Sequence, residues 1–307
     1  MIIRPKNKDL IEVFGYAPDD QTKSVRSLWS LGACPFTNKK CSKGNHDNTV
    51  TYGTCSVTSP YGDCIICPNR LYENDYEVLR TISASVFGRR IPFFTFEDYI
   101  KNRDLSGALV VALGQNSGKE VKIGKSLSMD WVLAKIEDGC LVEYVGAEVQ
   151  SLDITGNYRD CWYGYKNLNS GVPATIPNSG HGMNWANVHK RLIPQIIRKG
   201  KIYSTSKLVK SGLFFVLPEI VYKKFEDIIG KDIPKVKSPA PGVLSIHTYE
   251  LSPAVPHGQQ RHLVPVRQLI VSLEEFSQRF VSGPNLPSGE QLDFAVKRVL
   301  GIASSST

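Results

Sequence analysis

Two carboxylates and one amide flank a predicted β-hairpin. Asp130 opens the strand-like sequence DWVLAKI, and Glu148 lies late in the next one, EYVGAEVQSL. Between them, Glu137-Asp138-Gly139 is typical of a tight hairpin turn, so antiparallel pairing would bring the two carboxylates together. Gln150 shares a strand face with Glu148, because side chains two residues apart point the same way. The sequence therefore predicts one polar centre at this end of a sheet.

Two carboxylates held close together repel each other unless a cation lies between them. Mg²⁺ is the natural ion, because it prefers hard oxygen ligands and retains waters and phosphate oxygens. Such an ion could polarise a phosphodiester, lower the pKa of an attacking water and stabilise the leaving oxygen. Asp and Glu-x-Gln at this spacing also occur by chance, so solvated carboxylates at strand ends remain the alternative.

A second carboxylate pattern lies upstream. Asp104 with Glu120-Val-Lys122 fits an Asp…Glu-x-Lys pattern more closely, because it has lysine in the third place. We rank it second, since Glu120 directly follows a Gly- and Ser-rich loop and no hairpin is evident near Asp104. Lys122 could instead line the centre at Asp130. We expect Glu77, within a predicted helix, to be an exposed surface residue.

Five of the seven cysteines fall between positions 34 and 67, in a segment with few apolar residues. Four thiolates around one zinc or iron ion would form a closed tetrahedral site that holds such a segment folded. We favour a set in which the first and last members precede proline, which keeps them extended. The favoured ligands are Cys34, Cys41, Cys55 and Cys67. Cys64 then has no role in metal binding, and His46 could replace one of the four cysteine ligands. The alternative is that the five thiols bind no metal.

The composition favours a polyanionic partner. The 307 residues carry 37 Lys and Arg against 29 Asp and Glu, a net charge of +8, and such an excess is typical of proteins that bind nucleic acid. The longest apolar runs, at 108–113 and 213–217, are far short of the roughly 20 residues of a membrane span. Charges interrupt the N-terminal stretch where a signal peptide would be apolar. We expect a cytoplasmic protein without disulfides, with Cys140 and Cys161 as packing residues or exposed thiols.

Periodicity predicts a mixed α/β layered domain spanning residues 1–307, with a cysteine-rich subregion at 32–70. The run Leu213–Leu217 is typical of a central strand, and 153–184 is expected to be a polar loop. Ser272-Leu-Glu-Glu and Ser288-Gly-Glu-Gln have capping-box spacing and predict two final helices. The other predicted helices lie at 71–87, 184–197 and 221–229. Further strands are predicted after Glu120, in the hairpin, at 243–249 and at 263–271, whereas 109–113 could be a strand or a helix segment.

Two long motifs resemble a known family. GACPF…KKC…YGTC…IICPNRLY at 32–72 and MDWVLAKI…VEYVGAEVQSLDITGNYRD at 129–160 are similar to NotI-type restriction endonucleases, especially the shorter members. The resemblance implies a PD-(D/E)XK core, a mixed central sheet flanked by helices, with an added four-cysteine iron site. It also implies a homodimer that cuts double-stranded DNA at a six-base GC-rich palindrome with Mg²⁺, and a cognate DNA methyltransferase.

The resemblance assigns roles to residues at matching positions. Asp130 matches the metal-binding aspartate and Glu148 the second acid, whereas Gln150 stands where the wider superfamily has lysine. Because glutamine cannot accept a proton, a water on the metal ion or a substrate phosphate would have to act as the base. The four favoured cysteines match the structural metal ligands, and the family shifts the expected ion from zinc towards iron.

Candidate DNA contacts are basic or amide residues suited to phosphate or base edges; four lie near the catalytic strands, and Arg261 lies among Gln259, Gln260 and His262. They are Lys122, Lys125, Asn157, Arg159 and Arg261. Two other functions compete with site-specific cleavage: a non-catalytic DNA-binding protein built around the cysteine site, and a repair nuclease of the same fold. A zinc hydrolase of small molecules is disfavoured, since the sequence has no HExxH motif.

Overall fold

A large mixed β-sheet forms the centre of the computed structural model, which describes residues 2–47, 49–102, 106–124, 127–169 and 171–300. The described strands are β1 (Ile2–Ile3), β2 (Leu10–Val13), β3 (Thr54–Ser59), β4 (Gly62–Ile65), β5 (Phe93–Thr95), β6 (Ala108–Gly114), β7 (Val121–Ile123), β8 (Leu127–Met129), β9 (Trp131–Glu137), β10 (Cys140–Val149), β11 (Ile154–Thr155), β12 (Ala174–Thr175), β13 (Gly182–Met183), β14 (Leu213–Pro218), β15 (Val243–Leu251) and β16 (Leu263–Ser272). Seven of them make the central sheet in the order β16-β15-β14-β10-β9-β6-β5.

Eight α-helices accompany these strands within the described residues. They are α1 (Lys23–Leu31), α2 (Glu73–Phe87), α3 (Phe96–Lys101), α4 (Arg159–Lys166), α5 (Ile193–Thr205), α6 (Glu219–Ile229), α7 (Leu273–Ser282) and α8 (Gly289–Val299). The serines that begin the last two helices accept hydrogen bonds from backbone N–H groups three residues on, as the capping-box spacing predicts.

The predicted hairpin is confirmed as β9 and β10. Their antiparallel register runs from Glu137 opposite Cys140 at the turn to Trp131 opposite Ala147. Asp138 and Gly139 both have positive φ, 47° and 78°, as a two-residue hairpin turn requires. The register therefore brings the residue before β9 next to the last residues of β10.

The predicted central strand is confirmed as β14, which pairs in parallel with β10 and with β15. Every residue of β14 is buried, because helices cover both faces of the sheet. Phe215 packs in a core with α5 and α6, whereas Phe214 and Val216 pack in a second core that includes α2. The molecule is thus a mixed α/β protein with a helix-flanked central sheet.

The cysteine-rich subregion is built on a small sheet in the order β2-β3-β4. A buried ion-pair group joins it to the start of α2. The Arg70 guanidinium donates to Glu12 at 3.1 Å and to Glu73 at 2.7 Å, so neither carboxylate is buried unpaired.

The expectation of a loop over 153–184 is wrong for 159–166, which form α4, and for the two-residue strands β11, β12 and β13. Cys161, Trp162 and Tyr165 are the buried residues of this helix. Trp162 stacks on Trp29 with ring centroids 5.4 Å apart and donates to the Tyr52 carbonyl at 2.7 Å. Three buried positions in eight residues are too few to reveal a helical period, so tertiary packing defines this helix.

Among the described helices, none has the length and apolar character needed to cross a membrane.

Candidate functional site

The predicted carboxylate pair meets where β9 begins and β10 ends. The backbone N–H of Asp130 donates to Glu148 Oε1 at 3.3 Å, and the N–H of Val149 donates to Asp130 Oδ2 at 3.1 Å. Each carboxylate thus accepts a main-chain bond from the strand that carries the other. The hairpin register fixes their relative position.

Gln150 joins the pair directly. Its Nε2 donates to Asp130 Oδ2 at 2.7 Å, and its own backbone N–H donates to the Val216 carbonyl of β14 at 2.9 Å. Gln150 is therefore held by one hydrogen bond from its side chain and one from its backbone. The structure brings Asp130, Glu148 and Gln150 together as the sequence predicts.

A lysine from α5 completes the cluster, although no sequence motif predicted it. Lys199 Nζ donates to Glu148 Oε2 and lies 3.6 Å from Asp130 Oδ1. Its side chain is 7% exposed, against 1% for Glu148 and 28% for Asp130. Lys199 lies three residues after Ile196, on the apolar face of the helix. A lysine at an apolar-face position was the sequence signal that could have found it.

The electrostatics of the cluster follow from its burial. Burial is the largest cause of a raised Glu148 pKa, which reaches about 8; the Asp130 carboxylate adds to the rise and Lys199 opposes it. Asp130, at the cleft surface, is the more accessible carboxylate. It can meet a ligand while Glu148 lies behind it.

Two tyrosines flank the pair. The Tyr72 hydroxyl accepts from Trp131 Nε1 at 2.9 Å, and burial raises the pKa of Tyr72, with Asp130 contributing. Tyr203, one turn after Lys199 on α5, packs over Gly146 of β10. A Cβ at Gly146 would lie 2.2 Å from the Tyr203 ring, so only glycine allows α5 to come this close to the strand.

Asp130 and Gln150 open onto a cleft of about 460 Å³. One wall comes from the cysteine-rich subregion and contributes Lys39 and Lys40, and another contributes Glu120. The cleft is further lined by Thr37, Ser42, Pro68, Asn69, Tyr72, Gln115, Asn116, Trp131 and Val149. The cleft lining thus combines two acidic residues, Asp130 and Glu120, with two lysines.

The second carboxylate pattern meets this same cleft in part. Glu120 lines it, and Lys122 Nζ lies 3.1 Å from Glu120 Oε2; this hydrogen bond is the largest cause of the lowered Glu120 pKa. Asp104 and the candidate DNA contact Lys125 lie outside the described residues. Glu77 is exposed on α2, as expected, and accepts from Asn74 at 2.7 Å.

The remaining candidate DNA contacts lie in different settings. Arg159 is exposed and pairs with Asp160 at 3.1 Å, and the Asn157 side chain accepts from the Arg159 N–H at 3.1 Å. Arg261 is held within the protein, where its guanidinium donates to Asp63 Oδ2 at 2.7 Å. Both arginines are therefore ion-paired, but the Arg159 side chain is 61% exposed whereas that of Arg261 is 15% exposed, so Arg159 is the more accessible to a ligand.

Three of the favoured cysteines contribute to one core, in which Cys34 and Cys55 are buried and against which Cys41 packs. Burial is the main cause that raises the pKa of Cys41, Cys55 and Cys67, and thiols of the favoured set, Cys34 included, contribute to the rise. Cys64 packs in the opposite core from Cys34 and Cys55. Burial raises its pKa to about 12, with Asp63 contributing.

His46 is fully exposed, and its Nδ1 lies 3.1 Å from Asp47. Cys140 is exposed and Cys161 is buried, where its thiol lies 3.6 Å from Asp9.

Within the described ranges, no group of three or more His, Cys, Asp or Glu side chains is arranged as a metal site. The donor chemistry nevertheless fits the expected ions. The thiols suit zinc or iron, and the oxygen donors of Asp130 and Glu148 suit Mg²⁺, with Lys199 supplying the local positive charge.

Comparisons with known proteins identify no family. No protein-family model matches this chain, and no curated protein matches it significantly.

Proposed function

We propose that this protein is a Mg²⁺-dependent, site-specific endonuclease that hydrolyses phosphodiester bonds of double-stranded DNA. The observation that carries the proposal is the convergence of Asp130, Glu148 and Gln150, of which Asp130 and Gln150 line a cleft that is also lined by Lys39 and Lys40. The resemblance to NotI-type restriction endonucleases adds the target class, a short GC-rich palindrome. A cognate DNA methyltransferase would protect the host's own sites.

The strand order supports a PD-(D/E)XK core. Strands β6, β9 and β10 are consecutive antiparallel neighbours, and the chain then passes through α5 to β14, which is parallel to β10. The carboxylates lie at the end of β10 beside this crossover. Under this proposal, the hairpin register is what holds the catalytic acids in place.

Each residue of the cluster has a defined task. Asp130 faces the cleft and, with Glu148, would hold Mg²⁺. When bound, the ion supplies charge stabilisation at the scissile phosphate. Gln150 keeps the Asp130 carboxylate oriented through its 2.7 Å hydrogen bond, and its amide cannot remove a proton. The base is therefore water or a phosphate oxygen of the substrate.

The DNA-binding side of the proposal rests on charge. The net charge of +8 and Lys40 of the cleft wall favour contact with the phosphate backbone. Lys39 is paired with Glu97 at 2.8 Å and would contact a phosphate only by leaving that partner. A palindromic target cut on both strands needs two symmetry-related centres, so the active species is a homodimer.

The cysteine-rich subregion would bind one structural iron or zinc ion through Cys34, Cys41, Cys55 and Cys67. Their mutual proximity and burial support this assignment, because a cation compensates the repulsion between neighbouring thiolates. Since Lys39, Lys40 and Ser42, the residues on either side of Cys41, line the cleft, this ion would stabilise one wall of the DNA-binding surface.

Cleavage of unmethylated DNA rich in GC palindromes tests the proposal. The purified protein should give discrete fragments with Mg²⁺ and none with EDTA, and sequencing of the ends should give one fixed site. Cleavage that follows DNA structure instead of sequence would indicate a repair nuclease. The absence of any cleavage would contradict the proposal.

Asp130→Ala should lower the cleavage rate by about 100-fold or more, because it removes charge stabilisation at the reacting phosphate. Glu137→Gln is the matched control, since Glu137 lies at the opposite end of the same hairpin and pairs with Lys135. It should cleave as the unaltered protein does. Full activity in Asp130→Ala would refute the assigned centre.

One observation favours a non-catalytic DNA-binding protein. Lys199 already compensates the charge of Glu148 without a divalent ion, so the cluster could serve stability alone. Sequence-specific binding that is unaffected by EDTA, without cleavage, would support this second function.

A further inference from the structure

Lys199 occupies a position that is hard to explain by stability alone. Its ammonium is nearly buried and contacts both carboxylates of the proposed centre. Burying a lysine and a glutamate together costs desolvation free energy, and apolar residues of similar volume often serve a fold equally well. A buried pair beside a cleft therefore suggests a role in the chemistry of that cleft.

The surroundings of Lys199 define what its charge acts upon. Glu148 accepts its hydrogen bond, and Asp130 lies within ion-pair distance. Tyr203, from the same helix face, carries a buried hydroxyl without a partner among the described residues. Gln150, which holds the strand position of the expected lysine, donates to the other oxygen of Asp130. Lys199 and Gln150 thus contact the same carboxylate through different oxygens.

We propose that Lys199 is a positioning residue of the proposed nuclease centre, supplying from α5 the lysine charge that the Glu-x-Gln strand lacks. It acts through the carboxylates by holding Glu148 and Asp130 close together in orientations suited to a divalent cation. This inference rests on the proposed function. It deepens that function by assigning the cluster a fourth member from a distant part of the chain.

Moving the charge tests the proposal. Lys199→Met keeps a long side chain but removes the charge, and cleavage should fall by about 10- to 100-fold, as for other groups that orient metal ligands. Adding Gln150→Lys to that variant returns a lysine from the strand side. Because position 150 already reaches Asp130, the double variant should regain most of the lost rate. A purely structural loss would not be restored from another element.

Lys201→Met is the matched control, because Lys201 lies on the same helix and is exposed. It should leave cleavage, DNA binding and unfolding temperature unchanged. Lys199→Arg retains the charge and should keep more activity than Lys199→Met. Cleavage by Lys199→Met at the rate of the unaltered protein, or no recovery in the folded double variant, would overturn the proposal.

A second readout does not depend on cleavage. In EDTA, Lys199→Met should unfold at a lower temperature than the unaltered protein, since it leaves Glu148 buried without its partner. Ca²⁺ should raise the unfolding temperature of this variant less than that of the unaltered protein, because the carboxylates are no longer held in orientations suited to the cation. Equal unfolding temperatures and equal Ca²⁺ shifts would overturn the role of Lys199. A protein that never cleaves DNA but shows both effects would refute the nuclease function alone.

Discussion

The clustered cysteines differ in what surrounds each thiol. Cys55 and Cys67 are buried beside other members of the favoured set, whereas Cys64, three residues before Cys67, packs into the other core. The sequence distinguishes the proposed metal ligand Cys67 from the packing residue Cys64 only weakly, through the proline that follows Cys67. Cys64 lies within strand β4, whereas Cys67 lies two residues beyond the end of that strand.

Metal content should follow this division. Cys34→Ser and Cys67→Ser should each lose the single iron or zinc ion per chain and unfold at lower temperature, because a closed four-thiolate site loses a ligand. Cys64→Ser, buried in the same segment, should retain the ion. Elemental analysis of the purified variants measures this. Equal metal content in Cys64→Ser and Cys67→Ser would contradict the ligand set, and an unaltered protein without metal would contradict the site.

A buried histidine predicts acid sensitivity. His247 on β15 packs 5.4 Å from the Phe214 ring, and burial lowers its pKa to about 4. The unfolded chain takes up the proton near pH 6.5, so this contribution to stability is complete above pH 6.5 and is lost as pH falls towards 4. The full loss corresponds to about 3 kcal/mol.

His247→Leu should therefore lose about 2 kcal/mol less stability than the unaltered protein between pH 7 and pH 5. Denaturant unfolding at both pH values measures the difference. An equally steep fall in both proteins would assign the acid sensitivity to other groups.

At the scale of elements, the centre depends on how closely α5 approaches β10. Lys199 and Tyr203 lie one turn apart on the helix face that packs against the sheet, and the absent Cβ of Gly146 makes room for the Tyr203 ring. The hairpin could be predicted from its turn residues and alternating strands. The approach of α5 could not, because the contact of Lys199 with Glu148 joins residues 51 positions apart.

Gly146→Ala should destabilise the protein by about 1–3 kcal/mol, the usual cost of overpacking a filled core. It should also lower cleavage, because α5 must shift and take Lys199 with it. Gly289→Ala is the control, since nothing lies within 4 Å of a Cβ at Gly289. Thermal unfolding and cleavage rates of both variants test this. If Gly146→Ala had the unfolding temperature and the cleavage rate of the unaltered protein, α5 could move without affecting the centre.

At the scale of the whole molecule, sequence patterns predicted most of the central sheet. The apolar run of β14 was sufficient to predict a central strand, and the capping serines were sufficient to predict the starts of α7 and α8, because these signals are local. The setting of Arg261 was not predictable, since its ion-pair partner Asp63 is 198 positions away. Composition gave the net charge but not its distribution, which the fold determines by bringing Lys39 and Lys40 to the cleft.

The salt dependence of DNA binding should report that distribution. Lys40→Met should reduce the slope of log affinity against log salt by about one, as loss of one phosphate contact does. Lys297→Met, on α8 and outside the cleft, should leave the slope unchanged. Fluorescence anisotropy over a range of salt concentrations measures both. Equal slopes in the unaltered protein and Lys40→Met would place the phosphate contacts elsewhere.

The β9–β10 turn also provides a position for a fluorescent label. Of the seven cysteines, all within the described residues, Cys140 alone is exposed, and it directly follows the turn. The length of β9 separates it from Asp130 by about 23 Å, at 3.3 Å per residue. A maleimide dye should therefore attach at one defined position without engineering of the chain. Energy transfer from this dye to labelled DNA would measure how far the duplex lies from the cleft.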